Sequence, residues 1–368
     1  MNTTRAHVDG MVPISANVDY TNDFNSNVVF LICTSIMLIM GLVGNILVIG
    51  AVLVHKKLRV LCNVFVVNLA VADLCVTIVV DSFGIVGIAS EGTFFNDERV
   101  LCDMVGVFCV TSCACSGWNI AHISFNRYVR ICHHTVYPKI YNAHTVPFIV
   151  AGTWLFCCLL DLPNLLGWGA HTFDSRTMMC TYNYTKSYAY NLFVVSLGFG
   201  VPLLVTSFSY VRIIFIVKRA ETNARRSAED DVQTVTGIVQ WASSVKGTTN
   251  KRNKLRNTDI RLLRSVFTIW VVFIVMWSPY AIAILGDVHR VWPRTVYVVA
   301  AIVVHTNSSI NGILYAATNR HFREGYSYLI LRCFRRNVVS PEMINLDKVK
   351  PSERCSKKRK RDINIVSY

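Results

Sequence analysis

Charge is scarce in this chain: Asp, Glu, Lys and Arg make up 16% of 368 residues, where an ordinary soluble domain carries about 25%. The shortage is concentrated. From Val28 to Val54 there is no charged side chain, and six more runs are nearly as bare: Cys62–Ile88, Leu101–Phe125, Thr145–Leu166, Ser187–Val211, Ser265–Leu285 and Thr295–Ala317. Asp73, Asp81, Asp103, His122, Asp161 and His305 are the few interruptions. Water cannot be the only solvent of such a chain. At 1.5 Å per residue, each run can cross a hydrocarbon core about 30 Å thick.

Other things are missing as well. Short alternating strands are absent, which excludes a membrane β-barrel. In lipid every backbone group must be bonded within its own segment, so seven apolar runs imply an all-α, seven-transmembrane helical bundle. No Cys/His cluster has zinc-finger spacing, and Cys113-Ala114-Cys115 reads as packing. No internal repeat is visible, against a transporter built from inverted halves. Residues 1–27 hold no apolar core with a small-residue cleavage site, so no cleaved signal peptide is expected.

What charge there is, is mostly basic and unevenly placed. The net charge is +15, and 31 of the 37 lysines and arginines fall on one side if the N-terminus is outside. Basic residues stay in the cytoplasm, so that orientation is expected. The surplus then suits anionic lipid or a cytosolic partner rather than nucleic acid, and Lys357-Lys358-Arg359-Lys360-Arg361 reads as a solvated tail. Asn2 and Asn183 begin glycosylation sequons on the outer side. Cys102 and Cys180 are the two cysteines placed there, and a disulfide between them would tie the fourth connector to the third span.

The expected organisation is an N-terminal tail (1–27), a membrane domain (28–317), an amphipathic interfacial helix (318–336) and a disordered cytoplasmic tail (337–368). Ala220–Asn257 reads as a flexible loop with extended helix ends. In the interfacial helix Phe322, Tyr326, Leu329, Ile330 and Cys333 share one face. Cys333 is a site for a palmitoyl anchor, or is simply unmodified.

Each span carries a polar or proline landmark: Gly44-Asn45, Asn68 to Asp73, Cys102 to Asn126-Arg127-Tyr128, Trp154, Pro202 with Tyr210, Phe273 with Met276-Trp277-Ser278-Pro279, and Asn311-Gly312-Ile313-Leu314-Tyr315. In that order and spacing they resemble the rhodopsin-like (class A) G-protein-coupled receptors, from about Gly44 to Phe334. Asn126 stands where an acid is common and Gly312 where proline is common, as in melatonin receptors. Ile131-Cys132-His133 and Leu162-Pro163-Asn164 are also similar to that group. The connector from Phe173 to Cys180 is similar both to melatonin receptors and to the insect orphan receptors Trapped in endoderm and Moody.

The resemblance implies roles. Asp73 with Asn45, Ser116, Asn307, Ser308 and Asn311 would form a sodium-and-water pocket, the one bound ion expected in a chain with no other cofactor. The alternative is a protonated Asp73 in a network without an ion. Arg127, flanked by Asn126 and Tyr128, would latch to Asp259 at rest and turn to Tyr210, Tyr315 or a G protein on activation. A solvated surface pair is the alternative. Trp277 and Phe273, near the kinking Pro279, would form a hinge. Ligand contacts are expected from Cys109, Thr111, Asn164, Tyr182, Tyr280, Ile284, Tyr297 and His305, with Asp81, Asp161 and Asp287 adding acid near the mouth. Two of the melatonin contacts fall at Tyr184 and Gly198 and do not carry over. Cys109 replaces the acid of amine receptors, and the seventh span has no lysine for a retinal Schiff base.

The implied function is that of a receptor and not an enzyme: multi-pass in the plasma membrane, N-terminus extracellular, and surrounded by the lipid bilayer. It would convert binding of a small-molecule, lipid or peptide ligand into nucleotide exchange on a heterotrimeric G protein, with arrestin a further partner. The alternative class is an ion-coupled membrane transporter or channel, which needs ionisable residues strung along one aqueous path. An intramembrane metallo-hydrolase would need His122, His305 and Asp73 clustered at one depth.

Overall fold

Seven helices among the described residues are long and apolar enough to cross a membrane: Asn25–Val54, Leu61–Ala89, Arg99–Cys132, Thr145–Leu165, Tyr188–Arg219, Phe267–Gly286 and Arg294–Thr318, numbered here as the first to seventh spans. This computed structural model describes residues 23–234, 267–287 and 289–335. The chain divides into two compact units, Met1–Leu329 and Ile330–Tyr368, and every contact reported below lies within the first.

The spans follow the uncharged runs, with one instructive difference. The third run loses its apolar character at Phe125, yet the helix continues to Cys132. Asn126, Tyr128 and Val129 are buried there, so packing carries the helix past the point where lipid composition ends. The fifth helix likewise runs on to Thr234, into the segment expected to be loop. The rest of that loop, with Asp259, lies outside the described residues, as do Asn2, the side chain of Cys333 and the tail after Arg335.

Among the described residues two spans contain wide turns. The second passes from α-helix (Val64–Cys75) through a π-helical stretch (Val76–Asp81) and back to α-helix (Ser82–Ala89). The fifth does the same at Ser196–Gly200, where the Leu197 carbonyl accepts from Trp118 Nε1 of the third span at 3.1 Å. Such turns recur at functional sites because they redirect side chains without ending a helix.

Polar ties hold the spans in register. Asn68 donates to Asn119 Oδ1 at 2.8 Å and accepts from Trp154 Nε1 at 2.9 Å, joining the second, third and fourth spans. The first and seventh spans touch backbone to backbone. A Cβ on Gly312 would sit 2.7 Å from Gly44 Cα, which explains the glycine where proline is common. The seventh helix runs unbroken from Arg294 to Thr318.

A hairpin covers the end of the bundle reached by the fourth connector. Strand β1 (His171–Asp174) pairs antiparallel with β2 (Met179–Tyr182), Phe173 opposite Cys180. Cys180 is disulfide-bonded to Cys102 of the third span, closing a separation of 78 residues. In the chain-entropy picture a loop that long is worth about 4.5 kcal/mol. Gly87 of the second span seats the hairpin, because any Cβ there would run into the Met178 carbonyl.

The eighth helix, Arg320–Arg335, is strongly amphipathic, as expected. Phe322 and Tyr326 are buried; Phe322 stacks on Tyr315 at 4.9 Å, and Tyr326 donates to the Gly312 carbonyl at 3.1 Å.

Candidate functional site

Beneath the hairpin a cavity opens between the third, fifth, sixth and seventh spans. The third contributes Cys109, Val110 and Cys113, the fifth Val194 and Phe199, the sixth Trp277, Tyr280 and Ile284, the seventh Val304 and His305, and β2 adds Thr181 and Tyr182. The lining is mostly apolar with a few polar groups, the usual build of a small-molecule site. Among the expected contacts, Cys109, Tyr182, Tyr280, Ile284 and His305 line it.

Asn164, Tyr297 and Thr111 do not. Asn164 Nδ2 lies 2.9 Å from His171 Nε2, which is 3.2 Å from Asp161 Oδ1; Tyr190 donates to the same Asp161 oxygen at 3.4 Å. All four are buried, so this cluster fastens β1 to the fourth span. Tyr297 donates to Asp287 Oδ2 at 2.5 Å and stacks on Tyr184. Thr111 is buried on the third span away from the cavity lining.

The acids expected to offer charge near the mouth are already answered. Asp81 is fully buried and 2.6 Å from His305 Nδ1. Asp161 belongs to the His171 cluster. Asp287 accepts from the Val291 and Trp292 N–H groups at 2.8 Å each and from Tyr297. Burial alone would raise the Asp287 carboxyl, but these bonds outweigh it and hold it below the usual carboxylate value. Each is thus held by the protein, while the second oxygens of Asp81 and Asp161 are buried without partners among the described residues.

Arginines complete the roof. Arg290 pairs with Asp174 at 2.5 Å and lies over the Tyr184 ring, while Arg176 lies over Tyr297 and donates to the Trp292 and Arg290 carbonyls. Burial disfavours the Arg290 charge, yet Asp174 more than compensates and raises its pKa. Burial also pushes the Tyr182 and Tyr184 hydroxyls up, so both remain neutral donors. Arg294 donates to the Arg176 carbonyl and to Asn27 of the first span. His171, Arg290 and Arg294 carried no signal in the sequence beyond being polar residues in connectors, and Arg176 stood out only as part of the Phe173–Cys180 connector.

The cavity floor is aromatic. Trp277 stacks on Phe199 at 5.8 Å and lies 5.9 Å from Phe273. Its indole N–H is buried without a hydrogen-bond partner among the described residues. Pro279 lies two residues on, inside the sixth helix.

Deeper still, the fully buried Asp73 accepts from Ser116 at 3.0 Å and from Asn311 at 2.7 Å, while Asn45 donates to the Ser308 carbonyl at 2.9 Å. Asn307 and Ser308 are buried nearby in the sequence of the seventh span. Asn45 Oδ1 is buried with no partner among the described residues. One carboxylate with hydroxyl and amide oxygens fits a small, hard, monovalent cation.

At the far end of the third span Arg127 is half-buried, within electrostatic reach of Tyr210 and Tyr315. The Tyr315 hydroxyl and both amide atoms of Asn126 are buried without partners among the described residues. Tyr128 is buried and shares a 2.9 Å hydrogen bond with His133.

Residues 44–315 match the family described as 7 transmembrane receptor (rhodopsin family). The chain is 32% identical over 295 residues to melatonin receptor type 1B-B of Danio rerio, covering 78% of this chain and 77% of that one. It is 28% identical over 316 residues to melatonin receptor type 1C of Xenopus laevis, covering 84% and 68%. The fold matches the crystal structure of squid rhodopsin with a TM-score of 0.69 at 21% identity, covering 88% of this chain and 92% of that one.

Proposed function

This chain belongs to the rhodopsin family of seven-transmembrane receptors and resembles the melatonin receptors within it, and we propose that its ligand is a small, uncharged, mostly apolar molecule held above Trp277. It is a G-protein-coupled receptor and not an enzyme, a multi-pass protein of the plasma membrane whose partners are a G protein and an extracellular ligand. The transporter or channel alternative has no support in these similarities.

One observation carries the ligand class: the cavity lining is mostly apolar, and each acid near it is already bonded to the protein through at least one oxygen. A cation would have to compete with His305 and His171 for carboxylates they already hold, and would lose its hydration. A neutral molecule loses little, and can bond to the Tyr280 and Tyr182 hydroxyls and the unpartnered Trp277 N–H. Pressure on Trp277 passes to Phe199 and Phe273 and bends the sixth helix at Pro279, which frees Arg127 for the G protein.

Several further assignments accompany this one. The N-terminus is extracellular, supported by the lysine and arginine asymmetry. Asn2 and Asn183 carry glycans, and the half-buried Asn183 accepts from Thr185 Oγ1 at 2.7 Å within its sequon. Asp73 and its neighbours hold a sodium ion that restrains the resting bundle. Arrestin uses the same face as the G protein, around Arg127.

The test is a G-protein dissociation panel in cells, presenting neutral indoleamines, lipids, peptides and permanently charged amines to wild type and Arg127→Ala. Activation by a neutral small molecule in wild type, and silence in the variant, is the expected result. Activation confined to permanent cations would overturn the ligand class.

A further inference from the structure

Where the first span ends and the eighth helix begins, three metal-ligating side chains meet outside the receptor machinery described above. His55 follows the first span; His321 and Glu324 stand three residues apart on the eighth helix and therefore share a face. Glu324 Oε2 lies 3.4 Å from His55 Nε2 and 3.2 Å from His321 Nδ1, and the three ligand atoms all fall within 4.8 Å of one another. We propose that His55, His321 and Glu324 form a binding site for a divalent cation of the zinc class.

The geometry favours this over a chance ion pair. Ligands at about 2.0–2.1 Å from a tetrahedral ion stand about 3.3 Å apart, so two edges of the tetrahedron are already in place. The third, between the two imidazoles, is no longer than 4.8 Å and so has to shorten by at most about 1.5 Å, within the reach of a χ rotation. The second carboxylate oxygen is held by Arg320 Nε at 2.7 Å, which leaves Oε2 to face the histidines and fixes its direction. The Asn319 side chain accepts the His321 N–H at 3.0 Å and anchors the first turn that carries the site. All three ligands are partly exposed, so an ion and a fourth, water ligand have access.

The donor set also selects among cations. Two imidazoles and one carboxylate suit Zn²⁺, whereas Ca²⁺ and Mg²⁺ need several oxygens. Lys56 and Lys57 follow His55 in the chain and Arg320 bonds the other Glu324 oxygen, so an ion held by charge alone gains nothing there. An ion held by nitrogen lone pairs does. Bound metal would clamp the first intracellular connector to the start of the eighth helix, next to Phe322 and Tyr326, which pack on the seventh span.

The test uses full-length receptor in nanodiscs with free thiols blocked by N-ethylmaleimide, titrated with zinc against a chromophoric chelator. Wild type should hold one more zinc equivalent than His55→Ala/His321→Ala, and Glu324→Gln should weaken that equivalent at least tenfold. Millimolar Ca²⁺ or Mg²⁺ should not displace it. Zinc should raise the melting temperature of wild type and leave the double variant unmoved; His321→Gln serves if the double variant does not fold. Equal zinc uptake by wild type and the variants, or displacement by Ca²⁺, would overturn the site.

Discussion

His305 Nδ1 reaches across the bundle to within 2.6 Å of Asp81 Oδ1, so the wall of the ligand cavity is also a joint between the seventh and second spans. Asp81 is fully buried, and its other oxygen has no partner among the described residues. His305→Ala would therefore strand a carboxylate, at about 3–5 kcal/mol. Asp81→Asn combined with His305→Gln removes the charge and should recover most of the loss. Thermal unfolding in detergent, followed with a thiol-reactive dye, should rank wild type above the double variant and the double variant above His305→Ala. Equal melting of the two variants would refute the pairing.

Gly44 and Gly312 face each other but are not equivalent. A Cβ on Gly44 meets its nearest atoms at 3.6 Å, ordinary contact, whereas one on Gly312 meets backbone at 2.7 Å. Gly44→Ala should leave the melting temperature close to wild type. Gly312→Ala and Gly312→Pro should each cost about 1–3 kcal/mol by overpacking, although proline is the commoner family residue there. A Gly312→Pro receptor as stable as wild type would contradict the close approach.

Asn126 is buried beside Arg127 with neither amide atom bonded among the described residues. Asn126→Asp would give Arg127 a neighbouring carboxylate, and a charge-assisted bond of about 1.5–3 kcal/mol would restrain it. Basal GTPγS exchange on added G protein should fall about tenfold. An unchanged or raised basal rate would mean that Arg127 is restrained elsewhere.

The roof should respond to acid only at its extreme. Asp287 has its pKa lowered on folding, so its bonds stabilise the roof above the unfolded value of about 3.9 and are lost as pH falls through the lower folded value. Hydrogen–deuterium exchange of Thr177–Tyr184 should be flat from pH 5 to 8 once corrected for intrinsic rate. Asp174→Asn, which breaks the ion pair with Arg290, should raise that exchange about tenfold at neutral pH. A roof that loosens between pH 6 and 5 would point to a histidine instead.

Much of this architecture was legible in the residues because lipid imposes it. Seven long runs with little or no charge had to be helices, and Cys102 and Cys180 were left on one side. Five of the eight expected ligand contacts could be read from position: Cys109, Tyr280, Ile284 and His305 sit a predictable number of helical turns from a landmark, and Tyr182 lies two residues after the disulfide cysteine Cys180. Asn164 and Tyr297 could not be assigned that way, since their commitments to His171 and Asp287 depend on where a connector folds back. The arginine roof was hidden for the same reason. Nor did Val76-Thr-Ile-Val-Val-Asp81 announce a wide turn, because β-branched apolar residues look alike in α- and π-helix. The third helix outran its apolar run because neighbouring spans, rather than lipid, bury Asn126 and Tyr128.

The wide turn at Val76–Asp81 has a further consequence. One residue of helix adds only about 1.5 Å of length but about 100° of rotation. Losing a single residue there, and so restoring ordinary α-helix, would scarcely shorten the second span. It would swing Asp81 away from His305 and carry Gly87 out from under the hairpin. Insertions and deletions in this stretch are thus changes of azimuth, and a lineage that gained or lost one would have rebuilt its ligand chamber in a single step.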